Sequence, residues 1–149
     1  MNSELGARLV QILLVEDSPE DAILAQEALR DAEVACELHV VRDGDAAMAF
    51  VRQEGEFADA PRPHLVVLDL NLPRKDGREV LSEIKADPDL RQLPVVVLTT
   101  SSSDRDILRA YDEHANAYVR KPVNFDQLVQ ILRAIDVFWF DIVTLPSSG

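Results

Sequence analysis

The stretch LVVLDLNLP at residues 65–73 joins four consecutive apolar residues to a single acid and then to a turn. Two further runs have the same character, QILLV within residues 10–15 and VVVL at residues 95–98. Nearly continuous runs of Val, Ile and Leu are typical of parallel strands that helices cover on both faces. Together with two further apolar runs, at residues 36–41 and 117–119, they predict five strands.

Segments with helical spacing lie between the predicted strands. Ala25, Leu29 and Ala32 stand at positions i, i+4 and i+7, which places them on one face of a helix. The preceding SPED at residues 18–21 offers a capping serine, a proline suited to the first helical position and acids in the first turn. A second amphipathic pattern covers residues 124–135. Strands that alternate with helices predict an α/β fold, (βα)5, with helices on both faces of a parallel sheet.

The chain has the size and composition of one globular domain. Its 149 residues are 47% hydrophobic and 28% charged, which allows a sizeable core and argues against disorder. We assign residues 1–9 to an N-terminal arm, 10–136 to the domain, and 137–149 to a hydrophobic C-terminal extension with a frayed end. The polar stretch GEFADAPRP at residues 55–63 is expected to be a solvated connector.

Charge and cysteine content limit the partners and the compartment. The 15 Lys and Arg residues against 27 Asp and Glu residues give a net charge of −12, which disfavours binding to nucleic acid or anionic lipid. No apolar stretch approaches the ~20 residues that span a bilayer, and residues 1–9 lack the apolar core of a signal peptide. The single Cys36 cannot form an internal disulfide. We therefore expect a cytoplasmic protein without DNA or membrane partners.

Chemically useful side chains follow four of the five predicted strands. They are Glu16 and Asp17 after the first strand, Asp69 after the third, Thr99 and Thr100 after the fourth, and Arg120 and Lys121 after the fifth. The carboxyl ends of parallel strands meet at one edge of a sheet, where α/β proteins bind their ligands. We therefore expect three carboxylates, two hydroxyls and a lysine to gather at that edge.

Three ionised carboxylates at one site repel one another strongly. Each like-charge pair separated by about 4 Å costs roughly 4 kcal/mol at an effective dielectric of about 20. A divalent cation removes this repulsion, and hard oxygen ligands with retained water favour Mg²⁺ over Ca²⁺. The sequence offers a single thiol, Cys36, and no clustered histidines, which disfavours zinc. The sequence therefore predicts an Mg²⁺ site at Glu16, Asp17 and Asp69, with the compact positive charge of Lys121 beside it.

An aspartate beside a metal, a lysine and a hydroxyl suits phosphoryl chemistry. A carboxylate can attack phosphorus and form an aspartyl phosphate, while a metal and an ammonium group neutralise the phosphoryl oxygens. Asp69 directly follows a central-strand pattern and has no acidic neighbour in the sequence. Asp69 is therefore the predicted nucleophile, with Lys121 and Thr99 at the transferred group. An acidic helix start or a strand-end turn would explain each feature alone, and their coincidence favours a site.

Four segments resemble the receiver domain of two-component response regulators. They are ILLVEDSPED, LVVLDLNLPRKDG, PVVVLTTSSS and AYVRKPV, in the order and at the spacing found in that family. The resemblance covers residues 11–135 and implies the flavodoxin-like receiver fold, with a five-stranded parallel sheet of strand order 2-1-3-4-5. It also implies a protein that takes a phosphoryl group from a sensor histidine kinase and changes conformation to signal, rather than an enzyme.

The resemblance assigns the metal site residue by residue. Asp69 corresponds to the phosphoacceptor, and Glu16 and Asp17 correspond to the acidic pair that holds Mg²⁺. In this assignment Asp17 is the direct ligand and Glu16 acts through water. Asn71 corresponds to the position whose main-chain carbonyl completes the metal site. Glu16 replaces the commoner Asp and is longer by one methylene group, which leaves the rates of transfer and hydrolysis open.

The resemblance also assigns the phosphoryl-binding side of the site. Thr99 corresponds to the hydroxyl residue that contacts the phosphoryl group, and Lys121 to the lysine that pairs with that group. Thr100 stands where many receivers have Ala or Gly, so the width of the pocket and the phosphate contact of its amide are open. Tyr118 corresponds to the aromatic switch residue, which is expected to move inward when Thr99 moves toward the phosphate.

The C-terminal segment is unusually aromatic. Phe138, Trp139 and Phe140 are consecutive, and helical neighbours face about 100° apart, so one packing face cannot bury all three. Either Phe138 covers the core while the others lie over the domain edge, or the segment docks onto a second copy; we favour a homodimer. Together with VLTTSSSDRDI, this tail resembles the single-domain regulators that pair with bacterial phytochromes, the red-light-sensing histidine kinases. A bacteriophytochrome is then the implied partner.

Two other functions are compatible with parts of the pattern. A phosphatase of the haloacid dehalogenase class also uses an aspartyl nucleophile with Mg²⁺, but it needs an Asp two residues later, where this chain has Asn71. The nucleophile of that class follows the first strand, whereas Asp69 follows the third. A degenerate receiver would act by binding alone, although every acceptor-site residue type is present here. Phosphotransfer from a kinase distinguishes a receiver from a degenerate one, and turnover of phosphoesters would indicate the phosphatase.

Overall fold

The computed structural model describes residues 10–31, 36–99, 117–120 and 130. These residues form five strands, three α-helices and one 3-10 turn. In chain order the elements are β1 (Val10–Val15), α1 (Pro19–Asp31), β2 (Cys36–Val41), α2 (Gly44–Arg52), the 3-10 turn (Gly55–Phe57), β3 (Leu65–Asp69), α3 (Gly77–Ala86), β4 (Val95–Thr99) and β5 (Ala117–Arg120). The predicted N-terminal arm, the helix predicted at 124–135 and the C-terminal extension lie outside the described residues, apart from residue 130.

The five strands form one parallel sheet of order β2-β1-β3-β4-β5, as the resemblance implied. The register aligns Val15 with Leu68 between β1 and β3, so both central strands end at the same edge. The pairing runs one residue beyond the predicted end of β3, because Asp69 still pairs with Leu98 of β4. Asp69 is therefore the last residue of a central strand rather than the first residue of a turn.

Helices cover both faces of the sheet, as the continuous apolar runs predicted. Successive strand residues point to opposite faces, so Leu13 packs in the core beneath α2 and α3 while Leu14 packs in the core on the other face. Ala28 and Leu29 supply the buried side of α1. All five residues of β3 are buried, which explains why this strand shows no alternation of polar residues.

The connector at residues 55–63 is more structured than the sequence suggested. The ring of Phe57 packs against that of Phe50 with the ring centroids 5.3 Å apart, and Pro63 is buried. The left-handed backbone at Gln53 ends α2, and its side-chain amide donates to the Ala60 carbonyl at 2.6 Å. Most residues of the connector are exposed, as predicted, but Phe57 and Ala60 also pack against the core.

Within the described residues, none of the helices combines the length and the apolar character needed to cross a bilayer.

Candidate functional site

Three carboxylates converge at the carboxyl edge of the sheet. Glu16, Asp17 and Asp69 each place one oxygen within 4.8 Å of the others. Glu16 and Asp69 are buried, with relative exposures of 1% and 2%, whereas Asp17 is exposed. The convergence follows from the register, because the acidic pair comes directly after β1 and Asp69 ends the adjacent β3.

The Glu16 side chain is held by the turn between β1 and α1. Its backbone amide donates to the carbonyl of Val41 at 3.0 Å, which continues the pairing with β2. Its Oε2 accepts a hydrogen bond from the amide of Ser18 at 3.2 Å. The Ser18 hydroxyl in turn accepts from the Asp21 amide at 3.3 Å in the first turn of α1. The helix start that the sequence predicted therefore also orients the first carboxylate of the site.

The Asp69 carboxylate is oriented by the chain that follows it. Its Oδ1 accepts a hydrogen bond from the backbone amide of Asn71 at 3.0 Å. The amide of Leu70 donates to the Leu98 carbonyl at 3.1 Å, which anchors the strand end to β4. A buried carboxylate with one oxygen held by a backbone donor has a fixed direction, and direction is what a nucleophile needs.

The close approach of α3 to this edge was not recognised from the sequence. A Cβ atom on Gly77 would lie 2.6 Å from the Leu70 Cα and would also overlap the Asp69 carbonyl oxygen. The Gly77 amide donates to the Leu70 carbonyl at 3.1 Å, and Asp76 caps α3 by accepting from the Arg78 amide at 3.0 Å. The Asp-Gly pair at residues 76–77 was the available signal, since only glycine permits this approach.

The donor set fits a hard divalent cation. Among the described residues, these three form the one set of at least three His, Cys, Asp or Glu side chains close enough to share a metal ion. All their ligand atoms are carboxylate oxygens, which suit Mg²⁺ or Mn²⁺ rather than zinc. Two buried like charges at this separation are costly unless positive charge joins them. The geometry therefore agrees with the metal site predicted from the sequence.

A sequence model of the response regulator receiver domain matches residues 12–133. The chain belongs to the response regulator receiver family. It is 52% identical over 137 residues to the response regulator Rcp1 of Synechocystis sp., covering 92% of this chain and 93% of Rcp1. The predicted family and fold are thus confirmed.

Solved structures of related receivers have the same fold. The crystal structure of the phosphorylated cyanobacterial phytochrome response regulator RcpA is 55% identical, with a TM-score of 0.75, and covers 89% of this chain and 94% of that one. The Mn²⁺-bound form of Rcp1 is 52% identical, with a TM-score of 0.74, and covers 87% and 94% of the two chains.

The structure describes only some of the remaining residues predicted for the site. Asn71 is exposed in the loop after β3. Thr99 ends β4, the neighbour of β3, and its backbone aligns with Arg120 of β5, while Tyr118 aligns with Val97. Thr100, Lys121 and the aromatic run at 138–140 lie outside the described residues. The structure therefore brings together the acidic half of the predicted site, and the phosphoryl-binding half stays a prediction.

Proposed function

We propose that this receiver accepts a phosphoryl group on Asp69 from the phosphohistidine of a sensor histidine kinase. The single observation that carries the proposal is the Asp69 carboxylate, which is buried, held at Oδ1 by the Asn71 amide and within 4.8 Å of both other acids. In the transfer, a carboxylate oxygen forms the new bond to phosphorus. The bond from phosphorus to the histidine nitrogen breaks, and the electron pair leaves with the imidazole.

The proposed cofactor is Mg²⁺. Glu16, Asp17 and Asp69 would hold it through side-chain oxygens, Asp17 directly and Glu16 through water, and Asn71 would contribute its main-chain carbonyl. The Mn²⁺-bound form of the relative Rcp1 supports a divalent cation here. When bound, the cation supplies positive charge beside the carboxylates and the transferred phosphoryl group.

The remaining roles are assigned to residues that follow β4 and β5. Lys121 and the Thr99 hydroxyl would bind phosphoryl oxygens, with a further contact from the Thr100 amide. The phosphoryl group places about 1.5 to 2 negative charges at the strand end, in place of the single charge of the free carboxylate. Thr99 and Tyr118 would then shift together and change the surface that a downstream partner contacts.

The proposed role is that of a phosphoacceptor that signals, not that of an enzyme acting on a separate substrate. A phosphatase of the haloacid dehalogenase class needs an acid two residues after its nucleophile. Asn71 stands at that position, and its backbone amide donates a hydrogen bond to Asp69. The acceptor carboxylate and its acidic neighbours also argue against a degenerate receiver that acts by binding alone.

The test is labelling of the chain by a phosphohistidine donor or by acetyl phosphate in the presence of Mg²⁺. Wild type should acquire a label that hydroxylamine removes, as expected for an acyl phosphate, and Asp69→Asn should acquire none. Asp59→Asn is the matched control, because Asp59 is an exposed carboxylate in the connector after α2. Undiminished labelling of Asp69→Asn would refute the assignment. Absence of labelling in wild type would indicate a degenerate receiver.

We further propose that the partner kinase is a bacterial phytochrome and that the protein acts in the cytoplasm. The similarity to RcpA, a cyanobacterial phytochrome response regulator, supports this partner. The single Cys36 is compatible with a reducing compartment. A phytochrome kinase should phosphorylate this receiver much faster than an unrelated sensor kinase does under the same conditions, and equal rates would contradict the pairing.

We also propose that the receiver forms a homodimer through Phe138, Trp139 and Phe140. Three consecutive aromatic residues cannot share one packing face within a single copy. Light scattering should give a dimer mass for wild type and a monomer mass for the triple alanine variant Phe138→Ala, Trp139→Ala, Phe140→Ala. A wild-type mass that stays at the monomer value at all concentrations would exclude the dimer.

A further inference from the structure

The loop between β3 and α3, residues 70–76, carries Asn71 and is anchored at both ends. At its start, buried Leu70 is tied to β4 through its amide and to Gly77 through its carbonyl. At its end, Asp76 caps α3. Between these anchors the backbone at Arg74 has a φ of 64°, in the left-handed region that L-residues rarely adopt. The position of the Asn71 carbonyl therefore depends on how firmly the end of the loop is held.

The backbone of Lys75 is pressed against the start of α2. A Cβ atom on Gly44 would lie 2.7 Å from the Lys75 Cβ and would overlap its carbonyl oxygen. Gly44 follows Asp43, which caps α2 by accepting from the Ala46 amide at 2.8 Å. The loop thus rests on a helix start that is itself fixed.

The side chain of Lys75 reaches the third helix. Its ammonium pairs and hydrogen-bonds with Glu83 of α3, and Glu83 also pairs with Arg52 at the end of α2 at 3.5 Å. The hydrogen bond that Lys75 donates to Glu83 raises the pKa of Lys75 above its ordinary value, and the charges of Asp45 and Glu79 act in the same direction. Lys75 therefore stays charged and joins the loop to α2 through its backbone and to α3 through its side chain.

We propose that Lys75 is a positioning residue for the metal site, which holds the loop at residues 70–76 in the conformation that directs the Asn71 carbonyl toward the cation. The inference rests on the proposed function, because that function makes the Asn71 carbonyl a ligand. Lys75 acts through the loop, whereas Asp69 and the acidic pair contact the cation themselves.

The sign of the effect distinguishes positioning from simple electrostatics. Lys75 is positively charged, and a cation near a metal site opposes binding of a second cation. If Lys75 acted by its charge alone, neutralising it would tighten Mg²⁺ binding. If Lys75 positions the loop, the same substitution weakens Mg²⁺ binding, because residues that orient metal ligands typically affect affinity by about tenfold or more.

The experiment measures the Mg²⁺ dissociation constant by calorimetry on the full chain of four variants. Lys75→Met should bind Mg²⁺ about tenfold more weakly than wild type, and Lys75→Arg should restore most of the affinity because it keeps the ion pair. Lys85→Met is the matched control with the same change of charge. Lys85 donates to the carbonyls of Arg91 at 3.1 Å and Leu93 at 2.6 Å, away from the loop, so its loss should not weaken binding. Glu83→Gln should weaken binding as Lys75→Met does.

Amide hydrogen exchange in the absence of Mg²⁺ supplies the second measurement. Residues 71–76 should exchange faster in Lys75→Met and in Glu83→Gln than in wild type or Lys85→Met. If Lys75→Met binds Mg²⁺ with an affinity equal to or higher than that of wild type, the positioning role is overturned, but the proposed function is not. If Lys75→Met does not fold, unchanged loop exchange in Glu83→Gln overturns it. A wild type that binds no Mg²⁺ overturns the proposed function itself.

Discussion

The polar side chains at the two edges of the sheet differ in how they are paired and charged. At the amino edge, the amide of Gln11 donates to Nδ1 of His64 at 2.9 Å, and the amide of His64 donates to the Gln11 carbonyl at 2.7 Å. The Gln11 side chain donates to Glu37 at 2.7 Å and contacts His39 Nε2 at 2.7 Å. Donors and acceptors are matched within this group, so its role is to hold β1, β2 and the start of β3 together.

At the carboxyl edge the three converging side chains are all carboxylates, which carry negative charge and accept hydrogen bonds. Glu16 and Asp69 are buried there, and they accept hydrogen bonds from the backbone amides of Ser18 and Asn71. Gathering like charges does not stabilise a fold. The contrast teaches that the amino edge serves structure, whereas the carboxyl edge is arranged for a positively charged ligand. Three predictions test this difference, beginning with the largest effect.

The first prediction concerns the packing beneath the carboxylates. Gly77→Ala should destabilise the protein by about 3 kcal/mol, since the new methyl group would overlap backbone atoms of Asp69 and Leu70 that cannot move independently. Urea unfolding provides the measurement. Gly55→Ala is the control: no atom lies within 4 Å of its Cβ position, and only its φ of 58° opposes the substitution, by about 1 kcal/mol. Equal losses of stability in both variants would show that the backbone at the carboxyl edge can accommodate the added methyl group.

The second prediction concerns the charge at the carboxyl edge. In the presence of EDTA, Asp69→Asn should be more stable than wild type by about 2 kcal/mol, because it removes one of three mutually repelling carboxylates. The amide oxygen can still accept from Asn71, so the orienting hydrogen bond is kept. Mg²⁺ should raise the Tm of wild type clearly and that of Asp69→Asn much less.

Thermal unfolding with and without Mg²⁺ checks the second prediction, with Asp59→Asn as the exposed control. A loss of stability for Asp69→Asn in EDTA would mean that the carboxylate is already compensated by the protein, and the distinction between the two edges would then fail.

The third prediction concerns the amino edge. Partial burial lowers the pKa of His64 below its ordinary value of 6.5, so the folded state binds fewer protons than the unfolded state. Stability from His64 is complete above about pH 6.5 and is lost as the pH falls from there toward the folded-state pKa. The loss should stay below about 1.5 kcal/mol, the upper value for one hydrogen bond.

His64→Asn supplies the comparison, because its side-chain oxygen can accept from the Gln11 amide without titrating in this range. The free energy of unfolding is measured from about pH 7.5 to about pH 5. Over this range it should fall less steeply with decreasing pH for His64→Asn than for wild type. Identical slopes would show that His64 does not contribute to the pH dependence of stability.

Several features followed from local patterns alone. The apolar run at residues 65–68 predicted a buried strand, which in the structure extends one residue further to Asp69, and SPED predicted the observed start of α1 at Pro19. The parallel arrangement followed from the alternation of strands and helices, and the strand order from the family resemblance. The packing of Phe57 onto Phe50 was missed, because a single aromatic residue in a polar stretch has no period that reveals its partner.

The sequence by itself determined which residue types end each strand, and hence that carboxylates would meet at one edge. Only the tertiary structure decided how they meet: which Glu16 oxygen receives the Ser18 amide, and which two glycines admit the neighbouring backbone. It alone revealed that Lys75 joins the loop to two helices. The physical reason is range. Strand and helix formation depend on neighbours along the chain, whereas close approaches and ion pairs depend on packing between segments whose separation in sequence carries no periodic signal.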